Sequence, residues 1–350
     1  MNSRIAILAI AAAAAFGCTS QEIVEPEDKS VKVIMNSLVT TDYEDCFIYL
    51  SASKVSETER LREAKVTVSV NGGAPVTATE TDPGDDYYSN RAIPYYYNGS
   101  FNPGDHIRID ATTKYGHVSS EIHVPDKVNI VKVDTTRVTI RGSGYNELNL
   151  RFKISVKDKP GENNFYRFRF FKEECYERNP GEGKTREKFI LEADGSADPI
   201  LSEGYMNTGD LLSSLLEMEN NYLLFNDDTF DGETKTLSVT VNMSYLLASF
   251  SFMPELPDDY DDPYVYVVLE HISFAEYHYL KALNNLSNLG YDAVPFFEPT
   301  TIPSNVDGGL GFVSVATDSD PVKIRIPEDM YMYEVRYRKE HPEEDPYYNY

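Results

Sequence analysis

From Val31 onward the apolar positions recur mostly at every second residue, in short runs separated by turn residues. Cys46, Ile48 and Leu50 alternate with Phe47, Tyr49 and Ser51, and Val66, Val68 and Val70 alternate with Thr67 and Ser69 ahead of Asn71-Gly72-Gly73. Ile107, Ile109 and Ala111 repeat the pattern before Tyr115-Gly116, and Val118, Ile122 and Val124 line one side with Ser120. A period of two sends successive side chains to opposite faces of a strand, and Asn-Gly or Gly-Gly pairs turn a hairpin. Strands of this kind over residues 31–127, closed by Pro125-Asp126-Lys127, predict an immunoglobulin-like β-sandwich.

Residues 128–330 read as a larger β-rich domain with one or two short helices, so the chain as a whole is mainly β. Leu148, Leu150, Phe152, Ile154 and Val156 form the cleanest alternation, followed by the turn Lys159-Pro160-Gly161-Glu162. Phe165 to Phe171 returns as an aromatic strand with Arg167 and Arg169 on one face. Leu237, Val239, Val241 and Met243 alternate again, as do Val265, Val267 and Leu269. A leucine-rich helix is predicted over Asp210 to Met218, and a better one over 273–288. There Ser273 and Glu276 have the spacing of a capping box, Tyr277, Leu280, Leu283 and Leu286 keep an apolar stripe, and Gly290 suits the stop. The last segment, 331–350, is acidic and rich in tyrosine.

The beginning of the chain breaks the strand pattern. Ile5 to Phe16 is an unbroken apolar run behind the single charge of Arg4. A bilayer-spanning helix needs about 20 such residues, so this run reads as the core of a signal peptide. It ends in Ala15-Phe16-Gly17-Cys18, which resembles a bacterial lipobox despite Ala15 standing where leucine is common. The expectation is a leader over 1–17, acylation of Cys18, and an acidic tether over 18–30 with Glu22, Glu25, Glu27 and Asp28.

Charge narrows the partners. The 350 residues carry 57 acidic and 32 basic side chains, a net charge of −25, which argues against nucleic acid. With 41% apolar residues the chain is no disordered segment. Beyond Cys18 there are two cysteines, Cys46 and Cys175; export permits a disulfide between them, but two buried thiols are favoured by their distance in sequence.

The candidate chemistry is sparse. Asp258, Asp259, Asp261 and Asp262 form an acidic cluster that a hard cation could use, although a solvated loop is the favoured reading. Asp227, Thr229, Asp231 and Gly232 imitate the opening of an EF-hand loop, but its twelfth position is Ser238. The histidines match no zinc spacing, no Gly-x-Ser-x-Gly occurs, and no helix follows Gly308-Gly309-Leu310-Gly311 to receive a phosphate. Neither catalysis nor a cofactor is expected. Tyr87, Tyr88, Tyr95, Tyr96 and Tyr97 are the sharpest ligand-binding candidates, since tyrosine offers a flat face and a hydroxyl; the alternative is that they cap a sandwich edge. Asp134-Thr135-Thr136 resembles an O-glycosylation signal of Bacteroidota, with Thr135 as acceptor.

Three stretches resemble one family. They are Asp158-Lys159-Pro160-Gly161-Glu162-Asn163-Asn164-Phe165-Tyr166, the loop Phe225 to Gly232, and Ser304-Asn305-Val306-Asp307-Gly308-Gly309-Leu310-Gly311-Phe312. The last follows a helix with Tyr277 and Tyr279 and the segment Pro295-Phe296-Phe297-Glu298-Pro299. Together they resemble the Bacteroidota lipoprotein family catalogued as domain of unknown function 4249, over nearly the whole mature chain. The resemblance implies a β-rich, two-domain outer-membrane lipoprotein, often encoded beside TonB-dependent receptors, with no catalytic residues to carry over. The expected role is a surface-exposed accessory to such a receptor, held in outer-membrane lipid through Cys18 and capturing an unknown small molecule or oligomer. A surface adhesin or structural module of the envelope is the alternative.

Overall fold

The structure is a computed structural model that describes residues 31–42, 46–54, 58–81, 91–141, 146–177, 184–202, 219–243, 264–289, 301–327 and 330. The early strands are β1 (Lys32–Thr40), β2 (Cys46–Ser53), β3 (Thr58–Arg60), β4 (Lys65–Val70), β5 (Val76–Thr77), β6 (Thr79–Glu80), β7 (Ile93–Tyr97), β8 (His106–Thr113) and β9 (Gly116–His123). Next come β10 (Ile130–Arg141), β11 (Asn146–Lys157), β12 (Phe165–Glu177), β13 (Lys184–Ile190), β14 (Ala193–Asp194) and the short helix α1 (Pro199–Ser202). The chain continues through β15 (Leu224–Asn226), β16 (Thr234–Asn242), β17 (Tyr264–Ile272), α2 (Phe274–Leu289), β18 (Val313–Asp318) and β19 (Val322–Arg325). No helix of the described residues is long and apolar enough to cross a membrane.

One long sheet organises the molecule, in the order β13-β12-β17-β18-β1-β2-β7-β6, with β15, β19 and β3 paired at its sides. Two four-stranded sheets, β5-β4-β8-β9 and β10-β11-β16-β14, hold the other strands among the described residues. The period-two residues explain the layering. Val33, Met35, Ile48, Leu50 and Val315 of the long sheet share a core with Val66, Val68, Ile107 and Ile109 of the first small sheet. Phe168, Phe170, Val267 and Leu269 share a second core with Phe152, Ile154, Val239 and Val241 of the other small sheet. The register places both cores on one side of the long sheet, because His271 lies opposite Thr317 and so shares a face with the inward valines of β18. The small sheets therefore sit side by side beneath it.

The sequence boundary at 127–128 separates elements that the fold rejoins. β18 lies far along the second region, yet it pairs in parallel with β1, Ser37 opposite Val313 and Thr40 opposite Ala316. A parallel neighbour cannot come from a hairpin and needs a long connection, which a reading of adjacent strands does not find. The linker is tied to the seam through its backbone carbonyls: Thr317 Oγ1 donates to Pro125 O at 2.5 Å, and His271 Nδ1 bonds Asp126 O at 2.8 Å.

Helix α2 covers part of the opposite side of the long sheet, with Tyr277 and Leu280 packed against Phe165, Leu224, Ile272 and Ala316. Its cap is half of the expected box. Ser273 Oγ accepts from the Glu276 backbone N–H at 3.1 Å, but the Glu276 carboxylate turns into the sheet to accept from Ser314 Oγ.

Candidate functional site

Two turns meet at the seam and form a largely buried polar centre. The turn after β11 carries Asp158, Gly161 and Asn164, and the loop after β15 carries Asp227, Asp231 and Gly232. Asn164 joins them: its Nδ2 donates to Asp227 Oδ2 at 2.9 Å and also to the Lys159 and Glu162 carbonyls, while its backbone N–H reaches Asp227 Oδ2 at 3.0 Å. Asp158 accepts from Tyr166 Oη at 2.6 Å on one oxygen and from Gly232 N at 2.8 Å on the other. Asp231 accepts from Gly161 N at 2.8 Å. Asp158 and Asp227 are buried, so these bonds replace the water that each carboxyl loses on folding.

Oxygens of Asp158, Asp227 and Asp231 lie within 4.8 Å of one another, an arrangement that a hard cation can use. Here four of their six carboxylate oxygens already accept N–H or O–H donors of the protein. The centre thus works as a hydrogen-bonded clamp between two turns. Burial pushes the Asp227 carboxyl above its ordinary range, against the opposing effect of the Asn164 donors. Burial and the adjacent Asp158 carboxylate push the Tyr166 phenol far up, which keeps it a donor. Burial lowers His271, whose neutral ring packs on Tyr166 with centroids 5.0 Å apart.

A groove of about 570 Å³ opens beside the clamp, lined by Asp126, Lys127, Asn129, Val131, Lys157 and Lys159. Its three ammonium groups are engaged: Lys127 with Asp320 at 2.7 Å, Lys159 with Asp126 at 2.7 Å, and Lys157 with the Gly232 carbonyl at 2.6 Å.

The glycine-rich stretch 304–312 is a strap between β1 and β9. Leu310 N donates to Val33 O, Met35 N to Leu310 O and Asp307 N to Ser119 O, all at 2.8–2.9 Å. Gly311 has φ +113°, and a Cβ there would sit 2.2 Å from Met35 O, so the strap lies too close to β1 for any side chain. Asn305 imitates a strand partner, its side chain accepting from Val313 N and donating to Val313 O.

The tyrosines separate. Tyr95 and Tyr97 are 1% and 6% exposed and belong to the first core, which corrects their reading as ligand contacts. β7 is flanked by β2 and β6, and its odd positions face inward. Tyr95 reaches a buried partner, donating to Leu61 O at 2.9 Å and accepting from Ala64 N at 3.0 Å; Tyr97 stacks on Phe101. Tyr96 faces the other way, 5.5 Å from Phe47 by ring centroids. Tyr87 and Tyr88, the cluster Asp258, Asp259, Asp261 and Asp262, Cys18, the 210–218 helix and the 331–350 segment lie outside the described residues. Cys46 is buried and carries no disulfide, and burial pushes its thiol up to about 11; Cys175 lies in β12 opposite Arg186, its side chain outside the description. Thr135 is exposed on β10, opposite Phe152 of β11.

Sequence reasoning missed a second polar centre, where Arg167 and Arg169 both pair with the fully buried Glu270 of β17. Two arginines on one face of an aromatic strand were its signal, because a buried guanidinium requires an acid.

Comparison with solved structures gives matches that include a DUF4785 family protein from Legionella pneumophila, at 10% identity, covering 69% of this chain and 52% of that one, with a TM-score of 0.21. This chain spans about half the length of that protein. No curated protein matches. The family profile described as "Domain of unknown function (DUF4249)" matches residues 19–320, and the chain belongs to that family.

Proposed function

We propose that the chain is a lipid-anchored outer-membrane protein, a non-enzymatic accessory to a TonB-dependent receptor that captures or presents a nutrient at the cell surface. The observation that carries this reading is the beginning of the sequence, where a short apolar run ends at Gly17-Cys18 and an acidic tether leads into the strand-rich body. Membership of the DUF4249 family, whose match begins directly after Cys18, supports it. The mechanism follows from confinement. Two or more acyl chains hold a protein stably at a membrane, and a tether raises its effective concentration near a receptor without any new contact. Two of the three stretches that resemble the family fit a scaffold role, since Asn164 and Gly311 fasten turns and strands of the body together.

Growth on labelled palmitate tests the anchor. Label should appear in the wild type and vanish in Cys18→Ala, which should leave the membrane fraction; unlabelled wild type refutes the reading. Affinity purification from solubilised membranes should then recover a TonB-dependent receptor. Adhesion lost on deletion, with nutrient uptake intact, would favour a surface adhesin.

A further inference from the structure

The side of the long sheet beneath α2 carries charges that do not balance. Arg167 and Arg169 on β12, Glu270 on β17 and Asp318 on β18 share this side, and α2 lowers Glu276 towards them. Both guanidiniums pair with Glu270 through their Nε atoms, one on each carboxylate oxygen. Arg169 reaches Asp318 only at 3.4 Å. Asp318 accepts instead from Thr40 Oγ1 of β1 at 2.8 Å, and Glu276 accepts from Ser314 Oγ at 2.5 Å. Hydroxyls supply a hydrogen bond but no countercharge. Asp42, just beyond β1, adds a further negative charge near Asp318. Among the described residues two guanidiniums therefore face three buried carboxyls. Glu270 and Asp318 stand directly opposite one another across β17 and β18, and Asp318 Oδ1 is buried with no hydrogen-bond partner among the described residues. Like charges so placed do not both ionise readily in a site closed to water.

We propose that this interface is a proton-dependent latch: at least one of Asp318 and Glu276 keeps its proton at neutral pH, and loss of that proton loosens α2 from the sheet. The electrostatics agree in direction. Burial first, then the Glu270 charge, push Asp318 up to about 7, and burial raises Glu276 against the pull of Arg167. A carboxyl raised in the docked state stabilises docking fully below its ordinary value of about 4. That contribution is lost as pH rises through about 7, so the latch weakens toward alkaline pH.

Hydrogen exchange at the α2 amides of the full chain tests this, after correction for intrinsic rates. The opening equilibrium of the wild type should rise roughly tenfold per pH unit between the ordinary and the raised values, the limit for one proton. Asp318→Asn or Glu276→Gln, whose amides do not titrate, should flatten that slope, and either variant suffices if the other fails to fold. Infrared spectra of the wild type at neutral pH should show the C=O band of a protonated carboxyl, weakened in whichever variant removes it. A wild type with no slope, slopes unchanged in both variants, or no protonated-carboxyl band overturns the proposal.

Discussion

Leu269 and Glu270 are neighbours in β17, both fully buried, and they point to opposite sides of the long sheet. On Leu269's side the strands meet a second sheet, and contact is apolar with Phe168 and Val239 in the same core. On Glu270's side the same strands lie beneath a helix, and they carry an ionic cluster between β12 and β17. The apolar side derives its stability from area removed from water, which tolerates any well-packed hydrophobe. The ionic side works differently. Its charges have already lost their hydration, so the contact depends on every partner being present. Apolar layers set which sheets stack; the ionic layer ties neighbouring strands together beneath one helix.

Truncating each neighbour exposes that difference most strongly. Glu270→Ala leaves Arg167 desolvated without its paired acid and Arg169 with Asp318 at 3.4 Å, and should cost about 3–5 kcal/mol. Leu269→Ala should cost about 2–5 kcal/mol through the cavity left behind. The two diverge on rescue. Adding Arg167→Met and Arg169→Met to the Glu270 variant should restore much of the loss, whereas in the Leu269 variant, where Glu270 remains, it should deepen the loss by leaving that carboxylate without its arginines. Urea unfolding curves of the four proteins measure this, and a Glu270→Ala loss below about 1 kcal/mol contradicts the ionic account.

The clamp at Asn164 is the milder polar centre, built from neutral donors around two buried carboxyls. Asn164→Ala removes the side-chain donor shared by Asp158 and Asp227. The backbone N–H of residue 164 still reaches Asp227, so the expected cost is about 2–3 kcal/mol. Asp227 has a raised carboxyl in the folded state, so the variant should be hurt less at acid pH, where that group binds a proton, than at neutral pH. Unfolding midpoints at the two pH values check the sign. A loss that is larger in acid would mean that Asn164 serves a neutral carboxyl.

The strands of the apolar side were legible because alternation reports one buried face directly. Leu150, Phe152, Ile154 and Val156 read as β11, and all four are in the second core. Ser273 marked the start of α2 for the same local reason, since a cap acts within one turn. What stayed hidden is non-local. Nothing near Val313 announces a parallel partner at Ser37, more than 200 residues earlier in the chain. Tyr95 and Tyr97 looked like a binding surface because tyrosine suits both cores and contacts; only their register in β7 shows that they face inward. Asp227 and Asp231 looked like a failed cation loop because their true partners, Asn164 and Gly161, belong to a different turn.

The smallest effect is expected where the long sheet continues past α2. On the same side as Glu270, the register sets Leu38 of β1 beside Ser314, with Phe47 and Tyr96 in line and Tyr49 one step along. Leu38 and Tyr49 are 43% and 42% exposed, so this portion is neither apolar core nor ionic contact. Tyr49→Ala should change stability by no more than about 0.5 kcal/mol, as exposed substitutions do. Its counterpart on the inward side, Ile48→Ala, removes a fully buried side chain and should cost about 2–5 kcal/mol. Adjacent residues of β2 would then differ several-fold in their contribution to the fold. Equal losses in urea unfolding would show that the outer face beyond α2 is packed as tightly as the inner one, and that the division between the two sides holds only beneath the helix.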